Sequence, residues 1–109
     1  MLSAEIRPGD ILARWGGEEF VVFLPETRWE EASFMADRLR AEIAEVFSFD
    51  ETEALSVTVS IGVAENDGEN TSLDKLISAA DAYLYRAKAA GRNQVSGGLL
   101  SGLKGESRA

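Results

Sequence analysis

Hydrophobic and polar positions alternate along this chain with two different periods. Ile11, Leu12, Ala13 and Trp15 run apolar into Gly16-Gly17-Glu18-Glu19, and Phe20-Val21-Val22-Phe23-Leu24 runs apolar out of it. Two adjacent glycines between β-rich runs predict a hairpin over residues 10–24, because glycine accepts the positive φ of tight turns. Pro25 ends the second strand, since it has no N–H to give a ladder. The period then lengthens. Ala32, Met35, Ala36, Leu39, Ile43 and Val46 follow i, i+3, i+4, i+7 spacing, which predicts a helix over about 28–46 with these residues on its buried face. Thr27 and Glu30 have the spacing of a capping box at its start. Arg38, Arg40 and Glu42 fall off the apolar stripe.

Phe47 to Ala54 reads as an acidic turn region, in which Phe47 and Phe49 suit a short strand. Period-two alternation returns over 55–64, where Val57, Val59, Ile61 and Val63 alternate with Thr58, Ser60 and Gly62. The second face of that strand is small, which suits either a ligand or a closely packed helix. A polar loop, 65–70, leads to a second helix capped by Thr71 or Ser72, with Asp74 in its first turn. Leu76, Ile77, Ala80, Tyr83, Leu84 and Ala87 make its apolar face, and Gly91 ends it. Residues 93–96 suit a last short strand. Gly97 to Ala109 is rich in glycine and serine and is expected to be a flexible tail. The order strand–strand–helix–strand–helix–strand predicts an α+β sheet with helices packed on it.

Composition narrows the functions. With 109 residues the chain makes one domain at most. A formal net charge of -8 argues against a nucleic-acid polymer or an anionic membrane surface, but not against a nucleotide, which needs only a few local cations. Without cysteine or histidine, acid–base work falls to carboxylates, lysine or metal-bound water. No transmembrane run or signal-peptide pattern is present, so a cytoplasmic domain is expected.

Four constellations offer chemistry. Gly16-Gly17-Glu18-Glu19 is by itself an ordinary hairpin tip, yet it pairs glycines that admit phosphate with carboxylates that suit a divalent metal. Lys88 and Arg92, spaced i, i+4, either complement a helix C-terminal dipole or clamp phosphate from one helix face. Arg7-Pro8-Gly9-Asp10 and Arg38 are singly an ordinary turn and a solvated helix residue. Together the parts suit phosphoryl or nucleotidyl transfer.

Arg-Trp-Gly-Gly-Glu-Glu-Phe, followed by Val-Ser-Ile-Gly-Val, Ala-Asp-Ala-Tyr-Leu-Tyr-Arg-Ala-Lys and Gly-Arg-Asn, resembles the GGDEF family of diguanylate cyclases over about residues 7–97. The resemblance implies an α+β fold, a truncated ferredoxin-like, cyclase-palm antiparallel sheet with helices on it. It also implies condensation of two GTP molecules into cyclic di-GMP, with Mg²⁺ or Mn²⁺, in a pair of facing domains. Glu18 and Glu19 would then be catalytic carboxylates and metal ligands. Gly16, Gly17, Lys88 and Arg92 would contact substrate phosphates. Arg7, Asp10 and Arg38 match an inhibitory product site.

The resemblance also implies an earlier strand with an aspartate metal ligand, and a guanine-binding helical segment, before Met1. That strand would lie between 20–24 and 55–64. Residues 1–97 are therefore expected to be a partial domain and 98–109 a tail. The gap is expected to close by direct pairing of 20–24 with 55–64, or by a strand from another chain. Weak metal binding and little turnover of GTP follow for the chain alone. The alternatives are a non-catalytic cyclic di-GMP-binding module built on Arg7 and Asp10, or a structural fragment with no ligand.

Overall fold

A computed structural model describes residues 8–15, 20–24, 26–46, 58–68 and 71–103. The elements are β1 (Ile11–Trp15), β2 (Phe20–Leu24), α1 (Trp29–Val46), β3 (Ile61–Glu65), α2 (Leu73–Ala89), β4 (Val95–Leu99) and a 3₁₀ turn (Leu100–Leu103). The predicted element order holds. The sheet runs β2-β1-β3-β4. β1 is antiparallel to both neighbours, while β3 and β4 are parallel, so the sheet is mixed rather than wholly antiparallel. The parallel pair follows from α2, which supplies the long crossover that parallel strands need.

The position expected for an earlier strand is filled, and not by the pairing predicted. β1, not β2, lies against β3, with Ala13 opposite Val63. β2 is left at the edge of the sheet. Either hairpin strand offers a backbone edge, and β1 also carries Ile11 and Leu12, both of which are fully buried in this position.

The two sheet faces carry separate cores. Leu12 and Ala64 pack with Leu76, Ala79, Ala80 and Tyr83 of α2. Ile11, Ala13, Ile61 and Val63 pack with Ala32, with Trp29 and Ala36 alongside. The small face of β3 receives a helix. A Cβ on Gly62 would overlap the backbone of Leu84 and Ala80, so α2 rests directly on the strand there. That residue answers the choice between ligand and helix. Tyr83, also on α2, donates its hydroxyl to the Leu99 carbonyl at 2.7 Å and ties the helix to β4.

Several expectations change. The strand predicted over 55–64 is Ile61–Glu65, and residues 47–57, including Phe47 and Phe49, lie outside the described residues. α1 begins at Trp29, and its first N–H donates to Glu65 Oε1 at 2.8 Å. A carboxylate from β3 thus serves the helix N-terminus, where the sequence pointed to Thr27. Ser72 rather than Thr71 caps α2, accepting from the Lys75 N–H at 3.1 Å. Met35 and Leu39 are exposed, because Ala32 and Ala36 bring a neighbouring stripe of α1 against the sheet. The last strand is Val95–Leu99, and Leu100 and Leu103 pack on the α2 core, so the ordered chain continues past Gly97. No helix among the described residues is long and apolar enough to cross a membrane.

Two stability predictions follow. Gly62→Ala forces α2 off the strand and costs about 3 kcal/mol in urea unfolding, whereas Gly68→Ala, whose Cβ would meet among the described residues only the Thr71 hydroxyl at 3.6 Å, changes stability by less than about 0.5 kcal/mol. Burial pushes the Tyr83 phenol above its ordinary 10.0, with Arg86 opposing and Asp67 reinforcing the shift. A folded-state value above the unfolded one stabilises fully below pH 10 and is lost as pH rises through it. Wild type therefore loses stability above pH 10 more steeply than Tyr83→Phe, which itself costs about 1 kcal/mol at neutral pH.

Candidate functional site

Register places four strand ends in one row. Trp15 stands opposite Phe20 on one side and Ile61 on the other, and Ile61 stands opposite Val95. The ends of β1 and β4 are thus two strand spacings apart, roughly 9–10 Å. Residues 16–19 connect Trp15 to Phe20 and lie outside the described residues, as does Arg7. The placement of Gly16, Gly17, Glu18, Glu19 and Arg7 is therefore an expectation from the sequence alone.

The α2–β4 turn meets the same row of strand ends. Gly91 has φ +133, Arg92 φ 66 and Asn93 φ 53. The Arg92 N–H bonds the Ala87 carbonyl at 2.9 Å and the Gly91 N–H bonds the Lys88 carbonyl at 3.3 Å, the pair of bonds that closes a Schellman C-cap. Beyond the cap the Asn93 N–H donates to Ser60 Oγ at 3.1 Å, and Arg40 Nη1 of α1 donates to Asn93 Oδ1 at 2.8 Å. Two left-handed non-glycine residues in succession are costly and persist only where neighbours fix them. Here Ser60, just before β3, and Arg40 of α1 do so.

Lys88 lies half-buried in the last turn of α2, and Arg92 is exposed one turn further on. They do not share a helix face, because α2 ends at Ala89 and Arg92 sits in the left-handed turn after it. A fixed connection runs back to the hairpin. Arg14, next to the end of β1, pairs with Asp81 of α2 at 3.2 Å. Its sequence position beside the signature hairpin was visible, but its partner 67 residues on was not. Among the described residues no group of three or more carboxylates gathers that could hold a metal.

Asp10 lies at the opposite end of the sheet. It is 3% exposed; its Oδ1 accepts from the Glu26 N–H at 3.3 Å and its carbonyl from the Asn66 N–H at 2.7 Å. Asn66, fully buried, was not singled out from the sequence. Its side-chain oxygen accepts from the Gly68 N–H and from the Thr71 hydroxyl, folding the loop after β3. A cleft of about 570 Å³ opens beside this turn, lined by Gly9, Glu26, Arg28, Trp29, Glu65 and Leu99 among others. Arg38 is exposed on α1, nine residues or about 13 Å of helix rise beyond Trp29. The structure thus brings Lys88 and Arg92 to the hairpin end and Asp10 to the other, with Arg38 along α1 between them. A larger cleft, about 770 Å³, lies between α2 and the 3₁₀ turn and contains none of the expected site residues.

At the turn, Gly91→Ala introduces a side chain where φ is +133 and should cost about 2 kcal/mol in denaturant unfolding, with Ala89→Gly, at the last residue of α2, losing less than about 1 kcal/mol for comparison.

Comparison with known proteins bears on this arrangement. The family profile "Diguanylate cyclase, GGDEF domain" matches residues 1–94. The chain is 46% identical over 94 residues to the diguanylate cyclase DgcM of Escherichia coli K12, covering 86% of this chain and 22% of that protein. It is 41% identical over 98 residues to the response regulator PleD of Caulobacter vibrioides, again covering 22% of the relative. Among solved structures, the GGDEF domain of DgcB from Caulobacter crescentus in complex with c-di-GMP superposes with a TM-score of 0.64 at 29% identity, over 75% of this chain and 48% of that one. The diguanylate cyclase SiaD of Pseudomonas aeruginosa, solved with its activator SiaC, gives 0.63 at 38% identity, over 85% and 35%. The chain thus spans about a fifth of the length of these curated relatives, and it belongs to the GGDEF family of diguanylate cyclase domains.

Proposed function

We propose that this chain is the part of a diguanylate cyclase that carries the metal–phosphate hairpin and the phosphate clamp. The observation that supports the reading is the row of strand ends, in which Trp15 at the end of β1 and Val95, just after the Lys88–Arg92 turn, lie at the same edge of the sheet. In the reaction, the 3′-hydroxyl oxygen of one GTP attacks the α-phosphorus of another, pyrophosphate leaves, and the hydroxyl proton passes to a carboxylate. Two such steps between facing domains of a homodimer close the ring. Gly16 and Gly17 let backbone approach the phosphates. Glu18 and Glu19 are the acids for the metal and for the hydroxyl proton. Lys88 and Arg92 take up phosphate charge.

Two carboxylates suit Mg²⁺ or Mn²⁺, because Mg²⁺ is commonly held by one or two carboxylates together with substrate phosphates and water. Glu18 and Glu19 would hold such an ion, which would supply positive charge to offset that on the phosphate oxygens. The substrate places the domain in the cytoplasm.

A product site is proposed at Arg7, Asp10 and Arg38. Asp10 here holds its turn through Glu26 and Asn66, so its proposed contribution is to position that turn. A non-catalytic cyclic di-GMP-binding role is the second reading, favoured by the cleft beside Asp10. It also fits the sheet, because β1 holds the place beside β3 where the resemblance puts a metal-ligating strand. In this arrangement the chain is proposed to turn over GTP poorly.

Calorimetry with GTP–Mg²⁺ and with cyclic di-GMP tests both readings. Lys88→Ala is expected to weaken GTP binding about tenfold, the loss of one charge-assisted hydrogen bond, and to leave cyclic di-GMP binding intact. Arg38→Ala should do the reverse. Binding of neither nucleotide overturns the proposal, and binding of cyclic di-GMP alone selects the second reading.

A further inference from the structure

α1 buries one face and leaves the other bare. Trp29, Ala32 and Ala36 pack toward the sheet. Glu31, Phe34, Arg38 and Glu42 recur at helical spacing on the far side, Met35 and Leu39 flank the buried stripe, and all six are exposed. Phe34 is 64% exposed, Met35 52% and Leu39 37%. Neither core cluster uses them. Large apolar side chains aligned on a strongly acidic protein mark a contact surface rather than scattered exposure.

The charges in the same row say what fits it. Asp37 is engaged by Arg40 at 2.7 Å, whereas neither Glu31 nor Arg38 has an ion-pair partner among the described residues. We propose that this stripe binds a second copy of the chain, helix on helix and antiparallel. A two-fold axis passing between Phe34 and Met35 sets Phe34 against the partner's Met35 and Glu31 against the partner's Arg38, and symmetry makes each contact twice. Phenylalanine against methionine is a favourable sulfur–aromatic pairing.

Two other arrangements are worse. Sliding the axis to lie between Ala36 and Asp37 sets Glu31 against the partner's Glu42 and Met35 against the partner's Arg38. Parallel pairing sets like charges together at positions 31, 38 and 42. Of these three arrangements only the first sets Glu31 against Arg38, and charged rims bias interfaces in this way. One helix stripe is a small interface, so the dimer is weak, and it fills at high concentration or when two domains are tethered together. Nothing in this argument depends on nucleotide chemistry. Arg38 does belong also to the proposed product site, so the measurement is made without nucleotide.

Sedimentation velocity of the full chain over a micromolar-to-millimolar series tests the proposal. The weight-average sedimentation coefficient of wild type should rise with concentration. The doubly substituted Phe34→Ser/Met35→Ser chain should stay monomeric with its unfolding midpoint unchanged, since both residues are exposed. Arg38→Glu should weaken association about tenfold or more, and so should Glu31→Arg. Combining Glu31→Arg with Arg38→Glu should restore near wild-type association. A wild type that stays monomeric throughout contradicts the proposal. So does association that survives loss of Phe34 and Met35, or a double reversal no better than either single one.

Discussion

The ladder between β1 and β3 holds this structure together. β1 is hydrogen-bonded along both edges, to β2 and to β3. Its side chains alternate between two cores, Leu12 toward α2 and Ile11 and Ala13 toward α1, and Arg14 reaches Asp81 of α2. Fully burying Ile11 and Leu12 contributes about 1.5–3 kcal/mol each. Separating β1 from β3 exposes both cores at once. It also dissolves the row of strand ends on which the proposed site is arranged, so stability and site geometry rest on the same pairing.

Each end of the sheet is then finished by a helix terminus. At the Asp10 end the N-terminus of α1 receives Glu65, and Asp10 and Asn66 bind the adjoining turns. At the hairpin end the C-terminus of α2 closes through Gly91, and the strained Arg92–Asn93 pair is held by Ser60 and Arg40. Lys88 there complements the negative end of the α2 dipole in the absence of any phosphate. The turn that carries Arg92 is therefore already ordered by protein contacts.

Much of this was legible from local pattern. Period-two and period-3.6 spacing located every described strand and helix to within a few residues, apart from the long reading of β3. Gly62 stood out as a small residue on a strand face, and Gly91 as a helix terminator. What the sequence left open depends on contacts between distant residues. Glu65 serves α1 from 36 positions away, in place of a capping box two residues from the helix. The hairpin offered two strands to β3, and nothing local chooses between them. Met35 and Leu39 fit an apolar stripe, but alanines beside them permit a closer approach to the sheet and took the buried face. At the site, the motif residues were readable because their spacing is distinctive. The Arg14–Asp81 pair was not, because it joins a strand to a helix that folds back over it.

The central claim is the order of the strands, and interstrand nuclear Overhauser contacts between backbone α-protons in solution test it most directly. Antiparallel neighbours bring such protons close at alternate residue pairs. Contacts between 11–15 and 61–65, in the register that sets Ala13 opposite Val63, are the predicted result. Contacts between 20–24 and 61–65, with 11–15 at the sheet edge, would contradict it.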